Sequence, residues 1–114
     1  MKLNPYQHLP EYPMAPTAHR RLLAYQAGEN GYTLNFMFAA KGTKAPPHSH
    51  PHLQVVYVLS GSGIFRCGEE TAPMKAGDVL QIDGGVPHTW EEVFEDIESL
   101  EFFTPEREDF APEE

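Results

Sequence analysis

Apolar residues along the chain come in short bursts separated by turn residues, a pattern that predicts strands. Arg21 to Gln26 is the first, ended by Gly28, Asn30 and Gly31. Tyr32 to Ala39 is the second, ended by Gly42. Leu53 to Leu59 is rich in β-branched residues and stops at Ser60-Gly61-Ser62-Gly63, which reads as a hairpin. Ile64 to Cys67 returns, and Gly68-Glu69 turns the chain. Val79 to Ile82 follows, framed by Ala76-Gly77-Asp78 and Asp83-Gly84-Gly85. One segment departs from this. Trp90, Val93, Phe94, Ile97 and Leu100 recur at helical spacing, and Thr89 with Glu92 fits a capping box. Pattern alone predicts a helix over 90–101.

Many short strands at even spacing suggest a β-sandwich or small barrel. Pro5, Pro10, Pro13 and Pro16 block helix near the start. They predict an extended N-terminal arm over 1–18, lying on the domain or on a neighbouring subunit. Residues 19–110 then form a single domain, and 111–114 an acidic tail. The 114 residues are 40% hydrophobic, enough for one modest core. Nine glycines and eleven prolines argue against a long helical bundle. The net charge of −9 argues against nucleic acid and anionic membrane as partners, since both are polyanions. Cys67 is the only cysteine, so no internal disulfide forms, which fits a reducing compartment. MKLNPYQHLP lacks the apolar core of a signal peptide, and no apolar run approaches a membrane span. The expectation is a cytoplasmic protein.

Three of the six histidines, His48, His50 and His52, fall within five residues, just after Pro46-Pro47. In extended backbone, residues two apart share a face, so His48 and His50 can chelate one ion. Gln54 continues the parity with an amide oxygen, and His88 arrives behind Pro87. Three imidazoles and an amide oxygen suit a divalent first-row metal with open positions. His52 would crowd its neighbours and is assigned an outward or supporting role. His8 and His19 are read as solvated.

The spacing around these residues resembles the cupin family. Its first motif is G-x5-H-x-H-x3,4-E-x6-G, met here by Gly42, His48, His50, Gln54 and Gly61. Its second is G-x5-P-x-G-x2-H-x3-N, met by Gly77, Asp83, Gly85, His88 and Glu92. Gln54, Asp83 and Glu92 depart from the motif residues. The resemblance implies an all-β double-stranded β-helix (jelly-roll) barrel with the metal inside, and commonly a homodimer. It also requires two strands joined near Glu95-Asp96 in place of the helix. With glutamate replaced by Gln54, every protein ligand is neutral, and an ion would keep close to its full charge. The ion would be Zn, Ni, Mn or Fe.

In LEFFTPEREDF, Glu101 and Phe103 share one face if the segment is a strand, and Arg107 follows at the rim. An inward glutamate beside a cation can carry a proton, and the Arg107 fork suits a carboxylate. Alternatively, Glu101 is an exposed strand residue in an acidic stretch, and Arg107 pairs only with Glu106, Glu108 or Asp109. HSHPHLQ, YVLSG, GDVLQI, VPH and FTPEREDF together are similar to the pectin-degradation cupins of the KdgF type. That resemblance implies isomerase-type ring opening and ketonisation of 4,5-unsaturated monouronates from pectin or alginate breakdown. The substrate would be a small anionic sugar acid. Glu101 and Arg107 would be catalytic, and Phe103 and Arg107 would contact substrate, with Glu101 where the family usually has aspartate. Trp90 shares the parity of His88 and is a candidate pocket residue. Tyr57 and Leu59 have the opposite parity to Gln54 and are expected to pack on the arm or a partner. Arg66 is either a surface charge or a second carboxylate anchor. Two other functions fit the ligand set: a dioxygenase using Fe(II) or another redox metal, and a non-catalytic sugar- or metal-binding module.

Overall fold

Two long antiparallel strands organise the molecule in a computed structural model that describes residues 1–112. They are β4 (Leu53–Cys67) and β7 (His88–Thr104). Around them lie β1 (Glu11–Ala15), β2 (Ala18–Gln26), β3 (Tyr32–Ala39), β5 (Glu70–Lys75) and β6 (Val79–Ile82). The hydrogen-bonded order is β1-β2-β3-β7-β4-β5, with β6 also on β4. The first half of β4 pairs with β6 and the last part of β7. Its second half pairs with β5 and the first part of β7. The two long strands therefore belong to two walls, which close on one another as a jelly-roll barrel. Val56, Val58, Phe65, Met74 and Ile82 form the core between the walls.

The Ser60–Gly63 hairpin does not form. β4 runs straight through it, bending where its register with β7 slips. The glycines serve close approach. Gly61 has φ +88°, and a Cβ there would collide with the Asp96 carbonyl. A Cβ on Gly63 would meet the Glu92 carbonyl.

The helix over 90–101 does not form either, and neither does a strand pair joined near Glu95-Asp96, because β7 is continuous. Phe65 pairs with Trp90, while its neighbour Ile64 pairs with Glu92. The extra residue, Glu91, is a bulge that reverses the parity between Trp90 and Val93. Trp90, Val93 and Ile97 consequently face inward at helix-like intervals, whereas Phe94 is exposed.

The arm predicted over 1–18 lies on its own domain. Its second half is β1, paired with β2, and Asn4 Nδ2 donates to the Leu23 carbonyl at 3.0 Å. Tyr57 and Leu59 remain exposed, so the arm does not cover them. β5 carries no strong strand pattern and includes Pro73, which its edge position tolerates. Of the predicted acidic tail, residues 113–114 lie outside the described part. Among the described residues, no helix is long and apolar enough to cross a membrane.

Candidate metal centre

Two loops are zipped together beneath the barrel mouth. His48 and His88 exchange backbone hydrogen bonds of 3.1 and 2.9 Å, and Gly85 N–H donates to the His50 carbonyl at 2.8 Å. Thr89 Oγ1 donates to the Ala45 carbonyl at 3.0 Å. These bonds bring His88 against the His48–His50 segment, with ring centroids 4.5 Å from His48 and 5.0 Å from His50. One nitrogen from each of the three imidazoles lies within 4.8 Å of the others. Donors at about 2.1 Å from a shared ion stand up to about 4.2 Å apart, so small side-chain rotations suffice to converge.

The bonding pattern fits an ion. His88 is buried, and its Nδ1–H donates to the Val86 carbonyl at 2.8 Å. That fixes the tautomer and leaves Nε2 with a lone pair, unpartnered among the described residues. The Gln54 amide nitrogen donates to Glu101 Oε1, which turns Gln54 Oε1 toward the histidines, 2.8 Å from His50 Nε2. Two oxygen or nitrogen donors at that separation form a hydrogen bond when one carries a proton. They form one edge of a coordination shell when neither does. Burial pulls His50 down to about 4, against the opposing Gln54 bond. Burial and neighbouring His88 also hold His48 below its ordinary value. All three imidazoles are thus neutral at physiological pH, the state a metal needs.

His52 stands beside this group, its ring 5.3 Å from that of His50. Its Nε2–H donates to the Glu106 carbonyl at 3.1 Å, which ties the histidine loop to the segment before Arg107. His19 stacks on Phe38 and His8 lies in a short 3-10 turn, both outside the cluster.

A cavity of about 370 Å3 opens beside the histidines. Gln54, Trp90, Glu101, Phe103 and Arg107 all line it. Glu101 is 6% exposed, and burial pushes its carboxyl up to about 7, outweighing the lowering by Gln54 and Arg107. It therefore exchanges a proton near neutrality. Arg107 lies 5.0 Å over the Phe103 ring and 3.9 Å over Phe110, and grips Asp109 through Nη2 at 2.7 Å. Its Nε and Nη2 both bond Asp109, as the pairing alternative expects, and the residue also lines the cavity. Arg66 pairs with Glu91 at 2.7 Å and is a surface charge.

Sequence reasoning missed Ser99 and Asn35. Ser99 lines the cavity, two residues from Glu101 on the same face of β7. Asn35 sits directly opposite Glu101 on β3. Both are at most 1% exposed, with side-chain polar atoms unpartnered among the described residues. Strict alternation back from Glu101 would have found Ser99. Finding Asn35 requires the β3–β7 register, which no local signal carries.

Comparison with known proteins supplies the frame. The Cupin domain family matches residues 35–101. An uncharacterized protein of Streptomyces coelicolor is 31% identical over 64 residues, which cover 56% of this chain and 61% of that protein. Among solved structures, an RmlC-like cupin from Shewanella frigidimarina is 21% identical with a TM-score of 0.85, covering 97% of this chain and 96% of the other. KdgF from Halomonas sp. is 19% identical with a TM-score of 0.85, covering 97% and 99%. Ectoine synthase from P. lautus is 24% identical with a TM-score of 0.71, covering 82% and 67%. At these identities, the structural likenesses speak for the fold.

Proposed function

The chain belongs to the cupin domain family, and on that premise we propose that it is a metal-dependent enzyme that opens and ketonises 4,5-unsaturated monouronates. The observation that carries this reading is the link between Gln54 and Glu101, which joins a metal-type ligand set to a buried acid in one cavity. His48, His50, His88 and Gln54 would hold one divalent ion, whose Lewis acidity would polarise substrate oxygens. Arg107 offers its guanidinium to the uronate carboxylate. The Phe103 ring holds the arginine from below, and Trp90 walls the opposite side of the cavity.

Glu101 is the proton carrier. Ring opening breaks the bond between the anomeric carbon and the ring oxygen. The anomeric hydroxyl loses a proton and the ring oxygen gains one, giving an aldehyde and an enol. The enol proton is then given up while the adjacent carbon of the double bond is protonated, giving the ketone. No net proton or electron is consumed, so one residue that exchanges protons near pH 7 suffices. Gln54 orients the Glu101 carboxyl during this exchange.

The test is purification, metal analysis, and loss of unsaturated-uronate absorbance with and without chelator. A chelator-sensitive rate above the spontaneous reaction is expected. A rate no faster than the spontaneous one overturns the reading, and oxygen uptake would redirect it to dioxygenase chemistry. The same proposal places the protein in the cytoplasm, as its single thiol suggests. It also pairs two copies through the outer face, where Tyr57, Leu59 and Val79 are exposed.

A further inference from the structure

The cavity extends well beyond the groups that the proposed reaction uses. Strand register arranges its inner wall in rows. Gln54 and Phe103 pair in the row nearest the histidines. Asn35 and Glu101 form the next, then Met37 and Ser99, then Ala39 and Ile97. Ala18 pairs with Ala39 and continues the last row onto β2. Successive inward residues on a strand are about 7 Å apart, so the wall runs some 14 Å from Glu101 to Ile97. Along that distance it changes from ionisable and amide groups to methyl and thioether groups. Phe65 and Trp90 cover the other side, packed edge to face with centroids 5.0 Å apart.

The side chains of the last row are small: Ala18 and Ala39 line the cavity beside Ile97, and Ala15 lines it as well. A sugar acid carries oxygen on nearly every carbon, and past Ser99 the Ala18, Ala39 and Ile97 side chains offer those oxygens no hydrogen-bond partner. The head end, by contrast, holds the Arg107 guanidinium, one edge of which is paired with Asp109, together with Glu101 and the candidate metal ligands. One cavity thus has a polar end that includes an arginine and an aliphatic end.

We propose that the alanine-lined end is a separate apolar subsite, and that the chain takes carboxylates bearing an unbranched aliphatic chain. The carboxylate lies at the head end and the chain along Met37, Ala39 and Ile97. The inference shares with the proposed function only the placement of the carboxylate. Desolvation drives it: each methylene buried is worth about fourfold in affinity, provided the walls are already formed.

Trp90 is the only tryptophan and borders this space, so its fluorescence reports occupancy directly. The metal-loaded protein is titrated with acetate, butyrate and hexanoate. The dissociation constant is expected to fall about fourfold per added methylene until the chamber is full. An affinity independent of chain length, or no binding along the series, overturns the inference. Ala39→Leu and Ala18→Leu, each checked for native circular dichroism, should abolish the gain of hexanoate while leaving acetate unchanged. A retained hexanoate gain in both folded variants would also overturn it. Uronate turnover with a flat chain-length series sinks only the apolar subsite. A rising series without uronate turnover sinks only the proposed reaction.

Discussion

In the proposed reaction, Glu101 and Arg107 divide the chemistry of the head end. Glu101→Gln keeps the volume and the contact with Gln54 but removes the titrating proton. Its turnover is expected to fall 100- to 10,000-fold, on the scale of lost general acid–base catalysis, with little change in KM. Steady-state kinetics at pH 7 decides this. Arg107→Ala should instead raise KM strongly, and an unchanged KM would remove it from the substrate site. Glu101 also imposes a pH dependence on stability. Its folded pKa is raised, so its contribution is full below its ordinary value near 4.5 and is lost as pH rises through about 7. In chelator-treated protein, the wild type should therefore lose stability relative to Glu101→Gln between pH 4.5 and 8. Histidine terms are common to both proteins and cancel in that difference, which urea denaturation measures.

Glycines mark two different constraints at the scale of the elements. Gly42 and Gly61 both have positive φ, but a Cβ on Gly42 meets nothing within 4 Å. Gly42→Ala should cost about 1 kcal/mol of conformational strain. Gly61→Ala adds the collision with Asp96 and should cost about 2–3 kcal/mol or more, as the denaturation midpoints would show. The contrast explains what the sequence made legible. His48, His50 and Gln54 were readable because alternate positions of one extended segment form a local pattern, whereas His88, 34 residues beyond Gln54, was readable through the spacing of the second motif. Glu101 and Phe103 were readable through parity once the strand was assumed. Ser60–Gly63 was misread because a glycine fitted for close approach resembles a glycine fitted for a turn. The 90–101 segment was misread because the Glu91 bulge converts strand alternation into helix-like spacing. Asn35 was not legible, because its place opposite Glu101 depends on a partner strand more than 60 residues away.

The whole molecule is a closed barrel whose outer face is less finished than its interior. Tyr57 and its cross-strand neighbour Val79 are 43% and 58% exposed, with Leu59 alongside at 43%. If two copies pair here, sedimentation will give twice the 12.8 kDa of one chain. Tyr57→Lys combined with Val79→Lys should then sediment as a monomer, and an unchanged mass would place the interface elsewhere. A bound metal would act at the same scale, because its candidate ligands join the 48–54 segment to β7. Free ion at 100 times its dissociation constant stabilises the fold by about 2.7 kcal/mol, so chelation should lower the melting temperature. His88→Ala should melt at the same temperature with and without chelator.

The continuity of β7 has a genetic corollary. His88, Trp90, Ser99, Glu101 and Phe103 reach one cavity from a single strand, and only alternation along it keeps the last three pointing inward. Deleting one residue between Ile97 and Ser99 would turn that wall inside out, exposing the acid while leaving His88 in place. The coding sequence for this stretch should therefore absorb many substitutions across evolution but no single-codon insertions or deletions.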